Sequence, residues 1–292
     1  MQLSFASITE QPIQLFEKNN IAVSVLRLDK LHPVISGNKW FKLQHYLKEA
    51  KELNKKRIIT FGGAWSNHIV ATAAACNMNS LNSIGIIRGE EPAALSATLL
   101  QASELGMEFR FVKRTDYDGK KIPAGIITPE DYVVNEGGFG KKGAEGIADI
   151  LTYSKRDFTH CCCAVGTGTM LAGLINTAGD QQKFIGISVL KNAASLEKQV
   201  TQLLTKEDPN WQIIHDYHFG GYARYTPKLT DFMNEFYDRT KIPSDFVYTG
   251  KLFYAITELA AKGFFPPNSK LLLIHSGGLQ GNRSLRKGTL IY

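Results

Sequence analysis

No apolar run in the 292-residue chain approaches the roughly 18 residues that mark a membrane-spanning helix. The opening stretch, MQLSFASITEQPIQLFEKNN, lacks a basic segment followed by an apolar one, so no secretory signal is read and the cytoplasm is the expected location. Cysteine is scarce. Of four cysteines, three are consecutive (Cys161, Cys162, Cys163), a spacing unsuited to a disulfide framework or to CxxC metal ligation, and no metal site is expected. They are read as small strand residues in an apolar run, and Cys76 in ATAAAC as a core residue of the same kind. The net charge of +7 is not gathered into a basic stripe with interleaved aromatics, which argues against nucleic-acid binding, although a modest positive field favours anionic small molecules. No fixed-period repeat and no low-complexity linker is present, so composition alone marks no domain boundary.

What remains is an ordinary globular composition, 43% hydrophobic and 21% charged, in a chain long enough for a sizeable core. Short apolar runs alternate with amphipathic stretches. Strands are predicted at 57–63, 83–89, 107–113, 131–138, 183–190 and 270–278, and a strand with its following loop at 159–169. Helices are predicted at 67–78, 93–106 with Gly106 as the stop, 170–179 and 254–263. That alternation implies βαβ units and parallel sheets covered on both faces. The turn-rich stretch 113–131 reads as a surface excursion.

Two glycine turns follow predicted strands and open helices. AVGTGTMLAG (164–173) lets the backbone approach a ligand, with Thr167 and Thr169 as added hydroxyl donors. It lacks the sixth-position glycine of a dinucleotide loop and the Gly-Lys-Ser/Thr of a nucleotide-phosphate loop, so a lone phosphate suits it better. FGGAWSNH (61–68) puts Ser66 and Asn67 at a helix start, where simple capping competes with a binding role. A serine-hydrolase elbow needs G-x-S-x-G, and Ser66 lacks the second glycine.

Ahead of both turns stands SGNKWFKLQHYLKEA (36–50), and after them come VYTGK (247–251) and HSGG (275–278). This ordered set resembles the fold-type II pyridoxal-phosphate enzymes, most closely the branch holding 1-aminocyclopropane-1-carboxylate deaminase and D-cysteine desulfhydrase. The resemblance runs from about residue 20 to the end. It implies a two-domain, tryptophan synthase β-like α/β fold: a larger cofactor-binding domain of residues 1–45 and 155–292, a smaller α/β domain of 46–154, and the cofactor, pyridoxal 5′-phosphate, in the cleft between them. It further implies a small amino-acid substrate and a homodimer.

Carried over position by position, the resemblance makes Lys39 the lysine that bears the cofactor, which requires a deprotonated amine. Asn67 matches the partner of the cofactor's ring oxygen, and Gly166, Thr167, Gly168 and Thr169 match the phosphate loop. Ser66 matches an active-site serine, His68 a supporting histidine, Tyr248 a tyrosine facing the substrate, and Tyr222 a second one. Two departures stand out. The deaminase has a glutamate directly after the tyrosine matching Tyr248, where this chain has Thr249; Ser276 matches a hydroxyl residue from which relatives bind the pyridine nitrogen. Trp65 stands where relatives often have glutamine, which points to a smaller or more apolar pocket mouth. A neutral partner at the nitrogen makes a weaker electron sink, which tilts the expectation toward β-elimination from D-cysteine, giving pyruvate, hydrogen sulfide and ammonia. The competing readings are deamination of 1-aminocyclopropane-1-carboxylate to 2-oxobutyrate and ammonia, and a non-catalytic cofactor-binding protein.

Overall fold

The computed structural model describes residues 2–14, 20–118, 122–179, 181–207 and 210–292. Parts of the N-terminal stretch and residues 119–121 of the 113–131 excursion therefore lie outside the described residues. In chain order the first elements are β1 (Glu10–Ile13), β2 (Ala22–Arg27), α1 (Asn38–Glu52), β3 (Arg57–Gly62), α2 (Asn67–Met78) and β4 (Asn82–Arg88). Then come α3 (Ala97–Glu104), β5 (Met107–Val112), α4 (Arg114–Asp118), β6 (Asp131–Val134), α5 (Lys141–Ala148), β7 (His160–Val165) and α6 (Thr169–Ile175). The chain finishes with β8 (Lys183–Ser188), α7 (Leu196–Thr201), β9 (Trp211–Ile214), α8 (Pro227–Thr240), α9 (Thr249–Ala261) and β10 (Lys270–His275).

The strands form two sheets. One has the order β1-β2-β10-β7-β8-β9 and the other β5-β4-β3-β6. Every pairing is parallel except β1 with β2, so the expected parallel α/β architecture is what the chain adopts. Parallel strands covered on both faces need apolar residues at every position, and β7 supplies them as HCCCAV. Cys161 and Cys163 enter the core that holds α5, α6 and α7, while Cys162 enters the opposite core with α8 and α9. The thiols are free and buried, and burial raises all three above the ordinary cysteine range. On the smaller sheet α2 is apolar on every side, because α1 packs against one flank of it and α3 against another. Each large side chain buried in these cores contributes about 1.5–3 kcal/mol through leaving water.

Several boundaries differ from those predicted. The strand expected over 131–138 stops at Val134, because Gly137 (φ 67°) and Gly138 (φ 71°) turn the chain through a 3-10 turn at Glu136–Gly138. The helix expected at 93–106 begins only at Ala97, where the Ser96 hydroxyl accepts the Leu99 N–H as a cap. Gly106 does stop it, at φ 89°. The last helix begins at Thr249 rather than 254, for a reason that belongs to the site.

Candidate active site

A cavity of about 560 Å³ opens where the C-terminal ends of strands from both sheets converge, the position at which open parallel sheets bind ligands. The segments after β7, β8 and β10 line one side of it, and those after β3, β4 and β6 the other.

Lys39 reaches the cavity from the first turn of α1. The helix start is fixed by Gly37 (φ 64°), where a Cβ would fall inside the Ser276 carbonyl. The two glycine loops interlock: the Asn38 N–H donates to the Ser276 carbonyl at 3.2 Å, and a Cβ on Gly277 would meet Ser36 and Gly37. Lys39 Nζ donates to Asn38 Oδ1 at 3.0 Å and lies 5.8 Å from the Tyr248 ring centroid. Burial pulls its ammonium down to about 8, against the opposing attraction of Asp245.

One turn along α1, Lys42 also lines the cavity, and its side chain is buried. Burial, then the charge of Lys39, holds its ammonium well below the usual lysine range. Among the described residues neither lysine forms an ion pair. Sequence reading ranked Lys42 below Lys39 and gave it no role; its spacing of three from Lys39 was the available signal.

Ser66 and Asn67 enter from the turn after β3. The capping reading does not hold for Ser66, whose hydroxyl makes no cap bond to α2. Asn67 Nδ2 donates to the Gly278 carbonyl at 3.4 Å, while its Oδ1 is buried without a partner. His68 is buried against Thr60, with Nε2 2.9 Å from the Thr60 hydroxyl. That hydroxyl gives its only hydrogen to the Val134 carbonyl at 2.8 Å, so His68 Nε2 carries the proton. Its Nδ1 is then an acceptor, buried and unpartnered. Burial and the two nearby lysines keep the ring neutral.

Gly166, Thr167 and Gly168 line the cavity at the loop between β7 and α6. Gly168 is left-handed at φ 75°, and a Cβ there would press on Val200. Thr169 is not part of the lining: it is fully buried and its Oγ1 pairs with Thr167 Oγ1 at 3.0 Å. Tyr248 and Tyr222 meet at the rim, edge to face, with ring centroids 6.2 Å apart. Burial, then the charge and hydroxyl of Tyr222, pushes Tyr248 well above the ordinary tyrosine range. Trp65 and Tyr222 are both substantially exposed at this mouth, and Arg88 and Glu136 add one charge of each sign.

Ser276 and Thr249 behave differently. Ser276 lines the cavity and its hydroxyl makes no hydrogen bond to another described residue. Thr249 is fully buried and outside the lining. Its hydroxyl donates to Asp245 Oδ2 at 2.8 Å and accepts the Asp245 N–H at 2.8 Å. Asp245 also accepts the N–H groups of Val247, Tyr248 and Thr249, closing the start of α9 around one buried carboxylate. Burial raises that carboxyl against the pull of these bonds. This cap is why α9 begins at Thr249, and sequence reading overlooked it, although an Asp four residues before Thr249 was the cue.

Two lysines without ion-pair partners among the described residues, an orphaned amide oxygen and a glycine loop make a site fitted to an anionic ligand, with a lysine amine of lowered pKa available to a carbonyl group. Residues 8–277 match the pyridoxal-phosphate dependent enzyme family, and the chain belongs to it. Its cofactor is therefore pyridoxal phosphate. The chain is 30% identical over 268 residues to a putative 1-aminocyclopropane-1-carboxylate deaminase of Pyrococcus horikoshii, covering 85% of this chain and 81% of that one. It is 27% identical over 292 residues to the bifunctional, mitochondrial D-cysteine desulfhydrase/1-aminocyclopropane-1-carboxylate deaminase of Arabidopsis thaliana, covering 85% and 70%. Among solved structures it superimposes on an ACC deaminase homologue with TM-score 0.81 at 25% identity, covering 97% of this chain and 92% of that one. Among the described residues no helix is long and apolar enough to cross a membrane.

Proposed function

We propose that the chain is a lyase that eliminates the β-substituent of a small amino acid, with D-cysteine and water giving pyruvate, hydrogen sulfide and ammonia. The observation that carries this reading is the division of labour between Ser276 and Thr249. The Thr249 hydroxyl is spent on Asp245, whereas Ser276 keeps a free hydroxyl in the cavity. Ser276 would then offer a ring nitrogen a neutral hydroxyl, and Thr249 at the start of α9 would offer it no carboxylate. Elimination suits such a ring, because the departing thiolate carries the electron pair away.

Bound pyridoxal phosphate supplies the sink for electrons released when the substrate's Cα loses its proton. In this reading Lys39 holds the cofactor, and Lys42 with Gly166, Thr167 and Gly168 holds its phosphate; Thr169 supports Thr167 from behind. Asn67 holds the ring oxygen. Lys39 Nζ, once its lowered pKa has released a proton, takes the proton from Cα. Ser66 contacts the substrate, and Tyr248 and Tyr222 close over it. His68 offers Nδ1 as a fixed acceptor. Residues 1–45 with 155–292 form the larger unit and 46–154 the smaller, a division supported by the two sheets, with α5 packing back onto the larger core. The second reading, deamination of 1-aminocyclopropane-1-carboxylate to 2-oxobutyrate and ammonia, is favoured by the names of several relatives.

The test is a visible spectrum before and after borohydride reduction, with the labelled peptide identified, followed by assays on D-cysteine, L-cysteine and the cyclopropane substrate. We expect label on Lys39, sulfide and pyruvate from D-cysteine, and no turnover by Lys39→Ala. Turnover of the cyclic substrate alone would establish the second reading instead.

A further inference from the structure

Lys251 is fully buried in the first turn of α9, yet it forms no ion pair with a carboxylate among the described residues. Its Nζ donates to two backbone carbonyls, His218 at 2.8 Å and Gly221 at 2.7 Å. These belong to the turn that carries Tyr222. The turn is unusual in its backbone: Phe219 (φ 51°), Gly220 (φ 94°), Gly221 (φ 114°) and Ala223 (φ 52°) all lie at positive φ. Two of these four residues bear side chains and pay for that conformation, so the turn persists only where its surroundings fix it. The Phe219 ring against Tyr254 (centroids 4.9 Å apart) is one such fixture. Within the turn the His218 Nδ1 accepts the Gly220 N–H at 2.9 Å, and from outside it the Lys251 ammonium holds two of its carbonyls together.

Tyr248 is the residue that caps the start of α9, and Lys251 lies in the first turn of the same helix. The helix thus sets Tyr248 directly, and through Lys251 it reaches the turn whose Tyr222 ring closes on Tyr248. We propose that Lys251 is a positioning residue whose ammonium fixes the 218–223 turn and thereby sets Tyr222 and Ala223 at the rim of the cavity. This rests on the reading of Tyr222 as a substrate-facing residue.

The test compares wild type with Lys251→Met, both as full-length holoprotein. Trypsin cleavage after the exposed Arg224, followed by mass spectrometry, reports on the turn without any turnover. We expect cleavage there about tenfold faster in the variant. The cofactor absorption band should be unchanged, and kcat/KM should fall about tenfold to a hundredfold. Combined with Tyr222→Ala, Lys251→Met should add little to the loss from Tyr222→Ala alone, because the ring that Lys251 positions is already gone. Unchanged cleavage after Arg224, or losses that simply multiply, would overturn the proposal. Should the methionine variant not fold, Lys251→Gln, which keeps one donor, serves in the same comparison with a smaller expected effect. A wild-type protein inactive on every amino acid tried would fail the proposed function, while the cleavage result would still judge the role of Lys251.

Discussion

Lys39 and Lys42 share one helical turn and one cavity, and burial depresses both ammonium groups. Only the neutral amine attacks an aldehyde. With Lys39 near 8, the rate at which apoprotein takes up pyridoxal phosphate should climb from pH 6 and level off just above pH 8. A solvated lysine, with a pKa of about 10.4, would keep climbing for about two further units. Stopped-flow absorbance across that range measures the break, and a profile still rising at pH 10 would contradict the burial argument. In the proposed reading the cofactor's phosphate is the counter-charge for Lys42, which forms no ion pair among the described residues. Neither property is written in the residue letters, since a lysine's pKa depends on which walls surround it.

At the scale of elements, α9 gathers the most consequences. Its first turn is tied to Asp245, which accepts three backbone N–H groups and one hydroxyl. Asp245→Asn keeps the shape but loses the charge and turns N–H donors toward N–H donors. A loss of about 1–3 kcal/mol in unfolding free energy is expected, read from denaturant melts. The same change removes an attraction that holds the Lys39 proton on, so the break in cofactor uptake should move to lower pH. A variant with wild-type stability and an unmoved break would show that the carboxylate is incidental. Asp245 also explains what the sequence reading could and could not reach. Strands β3, β4, β7 and β10 were legible because both of their faces are buried, so they appear as unbroken apolar runs. The turns at Lys39, Ser66–Asn67 and Gly166–Gly168 were legible from their glycines and their order. Helix α8, with Pro227 at its first turn and Leu229, Met233 and Phe236 at helical spacing, carried a readable signal that was not taken up. Asp245 and Lys42 offered only a spacing cue, and Lys251 none, because burial and, for Lys251, carbonyls 30 and 33 residues away give them their meaning.

At the scale of the molecule, the cavity is walled by both sheets, so a ligand that fills it binds only the assembled form. Pyridoxal phosphate at about 100 times its dissociation constant should add about 2.7 kcal/mol to stability. That corresponds to a rise in melting temperature of about 5–10 °C, seen by differential scanning fluorimetry. Lys39→Ala should keep part of the rise, through the phosphate contacts, and lose the rest; no rise in wild type would mean that the cavity does not take the cofactor. The strand order has a further consequence for how the chain is made. β2 pairs with β10, so residues 22–27 wait for residues 270–275 to leave the ribosome before finding their parallel neighbour. The β3–β6 sheet draws on the continuous stretch 57–134 and can close long before that. Synthesis therefore yields a folded middle while the first strands it produced still have an open edge, the form of nascent chain that most needs shielding from its neighbours.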